Sequence, residues 1–279
     1  MDNGILYWDV DPVIFWITDS FPLKYYGLCF AVGFLLAYKI VEWIYKKEKV
    51  PVENLDKLLI YIVIGTIAGA RLGHVLFYNP SYYFDHPWEI FLPIAKIDGS
   101  FEFVGFQGLA SHGGAIGVLI AIFWYSKKHK TNLLWILDRV AIATPITGAF
   151  IRLGNFMNSE IYGKPTDGSW GVVFMRDDLI PRHPTQIYEA TAYLSIFAIL
   201  FLIYRYRSSN FEDGFIFGIF LSLLFLARFI IEFYKENQVE FEDQLFLNMG
   251  QYLSIPFILF GLFLIFSKRN RMKKQRIDI

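Results

Sequence analysis

The sequence predicts an all-α protein that crosses a membrane about seven times. The 279-residue chain is 55% hydrophobic and 19% aromatic, and its mean hydropathy of +0.39 is higher than soluble domains usually have. A helix that crosses a bilayer needs about 20 apolar residues. Seven candidate stretches lie near residues 25–45, 58–78, 113–125, 133–156, 184–204, 215–233 and 247–266.

The connections between these stretches predict the domain organisation. The third stretch, 113–125, is short and needs the glycine-rich segment before it to complete a crossing. Two long segments, 79–111 and 159–183, are rich in glycine, proline and aromatic residues, and the second includes a predicted extended element at 170–175. Long segments are usually functional or carry small structure of their own. We expect one integral membrane domain over residues 1–279, with 79–111 and 159–183 as irregular extracytoplasmic elaborations.

Basic residues predict the orientation of the chain. The segments after the first, third and fifth spans hold Lys46, Lys47 and Lys49, then Lys127, Lys128 and Lys130, then Arg205 and Arg207. The tail after the seventh span holds six more lysines and arginines. Because cytoplasmic segments carry an excess of lysine and arginine, we expect the C-terminus in the cytoplasm and the N-terminus outside. An odd number of spans fits this arrangement.

Composition and motifs exclude several classes of function. The 26 basic and 26 acidic residues give a net charge of zero, so nothing favours nucleic-acid binding. The single cysteine, Cys29, allows neither a disulfide framework nor a cysteine metal site. No nucleotide-binding glycine loop, HExxH metal motif or GxSxG nucleophile elbow is found in the sequence. We expect no cofactor and no metal.

The strongest functional signal is the stretch 148–163, which reads GAFIRLGNFMNSEIYG. Arg152, Asn155 and Glu160 occur at the end of an apolar run, and helical spacing can bring them to one side of the helix and its unwinding end. A charge in the membrane interior costs at least ~2.5 kcal/mol, so such residues usually face a cavity, a substrate or a partner charge. A structural ion pair between helices is the alternative interpretation.

The start of the third span places His112 before Gly113 and Gly114. A histidine can act as a general base near neutral pH, and glycines let a ligand approach the backbone closely. The exposed amides of a helix N-terminus also favour a phosphate. A hydrogen-bonded histidine beside two packing glycines explains the motif equally well.

Polar residues also mark the outer ends of the second, fifth and sixth spans. Arg228 and Glu232 are four apart and can form an intrahelical pair, while the planar guanidinium of Arg228 matches phosphate oxygens. Glu189 shares a helix face with Gln186, so we expect it to point inward. Arg71 gives the second span its own polar end.

Two features are interpreted as structural. Gly65, Gly69 and Gly73 recur every four residues, a spacing that lets two membrane helices approach closely. Asp138 and Arg139 stand at the cytoplasmic start of the fourth span, where helix initiation and ion pairing explain them.

Together these residues predict a pocket for a phosphate-bearing amphiphile whose tails stay in the membrane. The set consists of Arg71, His112, Arg152, Asn155, Glu160, Glu189 and Arg228. Because the protein offers no candidate nucleophile, the attacking group would belong to a substrate. A transporter or flippase of an anionic amphiphile is an alternative that predicts an internal repeat, and none is visible. A lipid-dependent scaffold is a further alternative, and it would keep any activity after loss of His112.

Seven segments of the chain resemble, in order, the bacterial prolipoprotein diacylglyceryl transferases. They are KYYGL at 24–28, GARLGHVLFY at 69–78, SHGGAIG at 111–117, RLGNFMNSEIYG at 152–163, RHPTQIYE at 182–189, RFIIEF at 228–233 and GQYLSIP at 250–256. Three positions depart from the family pattern. Ser159 replaces a usual glycine, Lys235-Glu236-Asn237 replaces Arg-Glu-Pro, and His74 stands where tyrosine is commoner.

The resemblance implies a reaction and its substrates. The family moves the diacylglyceryl group of phosphatidylglycerol onto the lipobox cysteine thiol of a secreted prolipoprotein, which forms a thioether and releases glycerol phosphate. It implies a multi-pass protein of the bacterial inner membrane, with the lipid bilayer as its surroundings and the site toward the outer leaflet.

The family motifs and the polar pattern together assign roles to particular residues, with His112 as the candidate base. We expect catalytic roles for His112, Arg152, Glu160 and Arg228. We expect substrate-binding or site-shaping roles for Tyr26, Arg71, Gly113, Gly114, Asn155, Gly163, Glu189 and Glu232.

Overall fold

The computed structural model is dominated by helices. It describes residues 4–18, 21–78, 80–92, 94–97, 100–103, 108–207, 212–236 and 245–275. In chain order the helices are α1 (Tyr25–Lys47), α2 (Val52–Phe77), α3 (Pro80–Asp85), α4 (Trp88–Phe91), α5 (Ser111–His129), α6 (Leu133–Met157), α7 (Thr185–Arg207), α8 (Phe215–Ile231) and α9 (Met249–Gln275). A short 3₁₀ turn, Glu232–Tyr234, follows α8.

The long helices correspond to the seven predicted spans. Six of them, α1, α2, α6, α7, α8 and α9, are long and apolar enough to cross a membrane. The 19-residue α5 covers the predicted third span but is not among these six. The prediction of an all-α, multi-pass membrane protein is therefore confirmed. The seventh crossing and the orientation of the termini remain predictions.

Short strands form three small sheets within the described residues. They are β1 (Ile5–Trp8), β2 (Val13–Thr18), β3 (Phe21–Lys24), β4 (Ile94–Ile97), β5 (Ser100–Phe103), β6 (Gly171–Phe174) and β7 (Pro181–Arg182). The sheets have the orders β1-β6-β7, β2-β3 and β4-β5. Strand β6 confirms the extended element predicted at 170–175, whereas the strands before α1 were not predicted.

The segments 79–111 and 159–183 both carry small structure. The first contains α3, α4 and the antiparallel β4-β5 pair, and its residues 79, 93, 98–99 and 104–107 lie outside the described part. The second contains β6 and β7, which pair antiparallel. By its internal contacts the chain forms two compact units, Met1–Ile44 with Leu137–Ile279, and Tyr45–Ile136. A single membrane domain over 1–279 stays a prediction.

The core of the first unit lies among α6, α7, α8 and α9. Its buried residues include Ile142 of α6, Leu200 and Tyr204 of α7, and Phe220 of α8. Helices α8 and α9 cross where both lack a side chain, because a Cβ on Gly218 would lie 2.8 Å from the Gly261 carbonyl oxygen. This close crossing is typical of membrane helices.

Asp138 fixes the start of α8. Its carboxylate accepts hydrogen bonds from the backbone N–H groups of Gly214 at 2.8 Å and Phe217 at 2.7 Å. These amides belong to the first turn, where no intrahelical acceptor is available. Asp138 is therefore structural as predicted, but it caps α8 and does not initiate the fourth span, since α6 begins at Leu133. Its neighbour Arg139 lies 3.4 Å from Asp213.

The parallel β1-β6 pair lies beside the C-terminal end of α6. Its register runs from Ile5 opposite Gly171 to Trp8 opposite Phe174. Phe174 is fully buried, and the Trp8 ring centroid lies 4.5 Å from that of Phe156 on α6. These aromatic contacts hold the sheet against the C-terminal end of α6, just before the chain leaves the helix.

In the second unit, glycines bring α2 and α5 into backbone contact. A Cβ on Gly73 would lie 2.8 Å from the Gly113 Cα, and a Cβ on Gly69 would lie 2.8 Å from the Gly117 Cα. A Cβ on Gly65 would lie 2.6 Å from the Gly117 carbonyl oxygen and 2.6 Å from the Ala121 Cβ. The close approach predicted from the glycine stripe of α2 is confirmed.

Candidate functional site

Polar side chains at the end of α6 form a continuous hydrogen-bonded chain. Arg152 Nη1 donates to Asn155 Oδ1 at 3.2 Å, and Asn155 Nδ2 donates to Glu160 Oε1 at 2.8 Å. Asn158 Nδ2 donates to the same carboxylate oxygen at 3.2 Å. Arg152 and Asn155 are three residues apart and so share a helix face, while Glu160 belongs to the chain that leaves the helix. The predicted clustering of these residues is confirmed.

Glu189 of α7 is the centre of a buried charge cluster. It is only 1% exposed, and Gln186 on the same face is fully buried, so the predicted inward orientation is confirmed. Lys235 Nζ donates to Glu189 Oε1 at 2.9 Å. Arg152 Nε lies 2.9 Å from Oε2 as an ion pair, without the alignment of a hydrogen bond. Two cations therefore offset the cost of burying this carboxylate.

Lys235 is a site residue that sequence reasoning missed. It follows the 3₁₀ turn after α8, is 9% exposed, and lies 4.0 Å from Glu232 Oε2 as well as against Glu189. Its local signals were the spacing of three residues from Glu232 and its place where the resembled family usually has arginine, and neither was read as a site role. Its stronger partner, Glu189, is 46 residues away in the chain, so no local pattern could reveal that pair.

Arg228 joins this cluster with part of its hydrogen-bonding capacity free. Arg152 and Arg228 both lie within electrostatic range of the Tyr193 hydroxyl of α7. Arg228 Nε is buried and has no hydrogen-bond partner among the described residues. A buried guanidinium N–H without an acceptor is suited to an anionic ligand.

The expected Arg228–Glu232 ion pair is wrong for the described part of the chain. Helix α8 ends before Glu232, which begins a 3₁₀ turn and lies beside Lys235 instead. The carboxylate also packs against α9, since a Cβ on Gly250 would lie 2.5 Å from its Oε1. Asn248 Nδ2 donates to the Glu232 carbonyl at 3.2 Å. Glu232 is thus held by the start of α9.

Tyr26 reaches the same cluster from α1. Its ring lies over Gly154, where a Cβ would be 2.9 Å from the Tyr26 Cδ2 atom. The Tyr26 hydroxyl is within electrostatic range of Glu160 and Arg152. The glycine of the RLGNF motif therefore admits an aromatic ring to the site, and sequence reasoning had not assigned Gly154 that role.

Gly163 is packed between two backbone segments. Its N–H donates to the His183 carbonyl at 2.8 Å, and it forms an isolated bridge with Lys235. A Cβ at this position would collide with the Tyr234 carbonyl oxygen and lie 2.6 Å from Thr185 Cγ2. The site-shaping role expected for Gly163 thus has a steric basis, and a contact with substrate remains a prediction.

Arg182 fastens the end of the segment 159–183. It donates to Asp178 Oδ2 from Nε at 2.8 Å and from Nη2 at 2.6 Å, and to Glu236 Oε1 from Nη1 at 2.7 Å. Its guanidinium also lies 4.9 Å from the Tyr162 ring centroid. The hydrogen bonds from Arg182 lower the pKa of Asp178 below its ordinary value. This pairing stabilises the fold above the ordinary aspartate pKa, and the contribution is lost as pH falls through the lowered value.

In the second unit, Arg71 is buried and bonded to the protein itself. Its Nε donates to the Ile90 carbonyl at 3.1 Å, and Nη2 donates to the Glu89 carbonyl. Nη1 donates to the Tyr83 hydroxyl at 3.3 Å and to the Gly108 carbonyl at 3.4 Å. Arg71 therefore ties residues 80–92 and Gly108 to α2. Its expected contact with substrate stays a prediction, and its visible role is to hold this segment.

His112 is an exposed residue in the first turn of α5. The two glycines that follow it differ. Gly113 packs against α2, where a Cβ would collide with the Gly69 carbonyl oxygen, whereas a Cβ on Gly114 would make an ordinary 3.5 Å contact with Ala70. Packing against α2 thus explains Gly113, and a substrate contact is sterically open to Gly114. The expected roles of His112 and Gly114 remain predictions.

The chemistry of the first-unit cluster is that of arginine, lysine, carboxylate and amide groups. Among the described residues, no group of three or more histidine, cysteine, aspartate or glutamate side chains is placed to hold a metal ion. Partly buried guanidinium groups beside amides and carboxylates can bind a phosphate and orient its substituents.

Comparison with known proteins identifies the family of this chain. The family model described as prolipoprotein diacylglyceryl transferase matches residues 12–267. Proteins named phosphatidylglycerol–prolipoprotein diacylglyceryl transferase are similar along nearly their whole length. The protein from Tolumonas auensis is 50% identical over 94% of this chain and 96% of its own. Those from Bacteroides fragilis and Chloroherpeton thalassium are 46% and 40% identical, over 93% and 98% of this chain and 94% and 98% of their own. The chain, whose RLGNF helix end pairs Arg152 with the buried Glu189, belongs to the prolipoprotein diacylglyceryl transferase family.

Proposed function

We propose that this protein transfers the diacylglyceryl group of phosphatidylglycerol to the cysteine thiol of a prolipoprotein. The product is a thioether-linked lipid on the cysteine, and glycerol phosphate is released. The observation that carries the proposal is the ion pair of Arg152 with the buried Glu189, together with the buried Nε of Arg228 that has no partner among the described residues, in a chain whose relatives bear the name of this activity. A phosphate headgroup with apolar tails matches such a site.

The reaction requires charge stabilisation at the departing phosphate. The cysteine sulfur forms a bond to the glyceryl carbon, and the carbon–oxygen bond to phosphate breaks. The thiol proton is lost, and glycerol phosphate leaves. Its phosphate monoester carries one more negative charge than the phosphodiester of the lipid did. Donors placed where charge develops lower the barrier of such a step. Arg228, whose Nε has no hydrogen-bond partner within the described chain, is the donor we assign to the phosphate.

We assign Arg152 a second contact to the same phosphate and a share in fixing the site. Its Nε is paired with Glu189 and its Nη1 donates to Asn155, so its guanidinium plane is held in one orientation. Preorganised donors avoid the cost of reorientation during the reaction. Glu160, which accepts hydrogen bonds from Asn155 and Asn158, is assigned to orient the headgroup, and Tyr26 is assigned to the same subsite.

His112 is assigned as the base that takes the thiol proton. An unperturbed cysteine has a pKa of ~8.5 and is only a few per cent thiolate at neutral pH, so a base can raise the reactive fraction. Its exposed position at the start of α5 leaves the imidazole accessible to a substrate.

We propose that the protein works in the bacterial inner membrane with its site toward the outer leaflet. Six helices suited to crossing a bilayer support a multi-pass membrane location. The distribution of lysine and arginine supports the orientation. The peptide substrate would then arrive as the lipobox of a secreted precursor, and the lipid would enter from the bilayer itself.

Reconstitution tests this proposal. The purified protein is placed in vesicles of phosphatidylglycerol with a lipobox peptide, and glycerol phosphate release and peptide mass are followed. We expect equimolar release of glycerol phosphate and addition of one diacylglyceryl group to the peptide. A peptide with serine in place of cysteine, and vesicles of phosphatidylcholine alone, serve as controls and should give neither product. Movement of a labelled lipid between leaflets without either product would support the transporter alternative and overturn the proposal.

A further inference from the structure

The loop that carries Glu160 has an unusual backbone. Ser159 and Ile161, the residues on either side of Glu160, both have positive φ, +56° and +59°. The left-handed region is unfavourable for residues with a side chain and most unfavourable for β-branched residues such as isoleucine. Such a conformation persists only where the surroundings impose it, and it is often found at functional sites. Residues around the loop must therefore hold Ser159 and Ile161 in the left-handed conformation.

Two side chains in the first turn of α7 hold this loop. Gln186 Nε2 donates to the Glu160 carbonyl at 2.8 Å, and Thr185 Oγ1 donates to the Ile161 carbonyl at 3.2 Å. Both side chains are fully buried. The two bonds therefore fix the carbonyls on either side of Ile161, in the peptide units that join it to Glu160 and to Tyr162.

The free-energy cost of burying the Gln186 amide indicates that this side chain does more than fill space. Its Oε1 atom is buried without a hydrogen-bond partner among the described residues. An unsatisfied buried acceptor destabilises the folded state, and a leucine of similar size would not carry this cost. What leucine lacks is the donor to the Glu160 carbonyl.

We infer that Gln186, with support from Thr185, is a positioning residue for Glu160. It fixes the left-handed loop through its backbone, and this turns the Glu160 carboxylate toward the amides of Asn155 and Asn158. Gln186 acts through the loop and needs no contact with substrate. The inference rests on the proposed function, since it states how one residue of that site is kept in place.

The test uses Gln186→Leu and a compensating change in the loop. We expect Gln186→Leu to lower the rate of glycerol phosphate release by between about tenfold and a hundredfold, the scale of a misplaced catalytic group. Because glycine adopts positive φ freely, adding Ile161→Gly should recover several-fold of this loss. Thr185→Val, which removes the second bond but keeps the shape, should give a smaller loss that Ile161→Gly also relieves.

A matched control separates positioning from general damage. Gln251 of α9 is 2% exposed, and its Nε2 donates to the Phe229 carbonyl at 3.3 Å. Gln251→Leu therefore removes a buried amide of the same kind, and Ile161→Gly should not improve its activity. Rescue of both leucine variants, or of neither while the proteins remain folded by thermal unfolding in detergent, would overturn the inference. So would full activity of Gln186→Leu.

A measurement without catalysis keeps the inference separate from the proposed function. The Glu160 amide donates to the Asn155 carbonyl at 3.0 Å, so its hydrogen exchange reports the loop. Exchange at residues 159–161 should become faster in Gln186→Leu and stay unchanged in Gln251→Leu. An inactive wild-type protein with this exchange pattern would refute the proposed function and leave the positioning role supported. An active wild-type protein with unchanged exchange in Gln186→Leu would refute the positioning role alone.

Discussion

At the scale of single residues, the two arginines of the site differ in what they are free to do. Arg152 is committed to Glu189 and Asn155. Arg228 Nε has no acceptor among the described residues. Since hydrogen bonds to charged groups are worth more than neutral ones, the donor without a partner gains most from an incoming phosphate. The two arginines should therefore respond differently to substitution.

We expect Arg228→Lys to lower turnover roughly a hundredfold with the protein still folded. Lysine keeps the charge but loses the planar fork that matches phosphate oxygens, and a lost transition-state contact of ~3 kcal/mol corresponds to this factor. The measurement is the rate of glycerol phosphate release at saturating lipid. Arg205→Lys is the matched control, because Arg205 is exposed near the C-terminal end of α7. This variant should behave as wild type. Unchanged turnover in Arg228→Lys would place the phosphate elsewhere.

We expect His112→Gln to abolish turnover near pH 7 and to leave phosphatidylglycerol binding largely intact. Glutamine keeps the size and hydrogen bonding of histidine but cannot take a proton at this pH. Raising the pH toward 9 should restore part of the activity, because the substrate thiol, with a pKa of ~8.5, then ionises unaided. Lipid binding and a pH–rate profile are measured on the same variant.

The alternatives for His112 give different results in this experiment. Weaker lipid binding without recovery at high pH would indicate that His112 orients the lipid. Full activity of the variant at pH 7 would remove His112 from the mechanism.

The sequence predicts site residues well where their partners are close in the chain. Arg152 and Asn155 are three residues apart, so helical geometry brings them together, and Glu160 follows five residues after Asn155 in the loop that leaves the helix. The partnership of Glu189 with Lys235 depends on how α7 and the end of α8 pack, and no spacing encodes it. Arg71 is an instructive case, because its charge in an apolar run predicted a ligand and the structure has its guanidinium on backbone carbonyls.

At the scale of the element, the close contact between α2 and α5 leaves no room for a side chain at several of their glycines. A Cβ on Gly117 would collide with the Gly65 carbonyl oxygen and lie 3.0 Å from the Gly69 Cα. Both obstacles are backbone, so a side chain at this position cannot be accommodated by rotamer changes alone. The two helices would have to move apart.

We expect Gly117→Ala to lower the free energy of unfolding by about 1–3 kcal/mol, the usual cost of overpacking. The measurement is the midpoint of thermal unfolding in detergent. Gly27→Ala in α1 is the control, because nothing lies within 4 Å of the Cβ it would gain. Equal midpoints for the two variants would contradict the tight packing of α2 against α5.

The long helices could be predicted from the sequence, and the sheet β1-β6-β7 and the short helices α3 and α4 could not. Apolar runs of membrane length define helices by composition alone. The strands are short, and β1 pairs in parallel with a segment from the other half of the chain. Such a pairing leaves no local periodicity, since it depends on contacts that only the folded chain brings together. The exception is β6, whose glycine and valine pattern after Trp170 indicated an extended segment.

At the scale of the whole molecule, the distribution of basic residues predicts opposite sides for two positions. We expect cysteines introduced at Ser169 and Asn270, in a variant with Cys29 replaced, to face opposite sides of the membrane. An impermeant thiol reagent added to intact spheroplasts should label position 169 and leave position 270 unlabelled until the cells are permeabilised. Permeabilised cells are the control for reactivity at both positions. Equal labelling in intact spheroplasts would contradict the orientation and an odd number of spans.

The parallel pairing of β1 with β6 has a consequence for biosynthesis. Each β1 residue and its partner are 166 positions apart in the chain. At a translation rate of about 5–20 residues per second, β1 waits roughly 8–33 s for β6 to be made. During that interval its strand edge is unpaired and open to other extended chains. Residues Tyr45–Ile136, by contrast, form a compact unit from one uninterrupted stretch, so the ribosome completes them before the N-terminal strand can find its partner. Strand β1 is therefore synthesised early and is among the last elements to reach its final contacts.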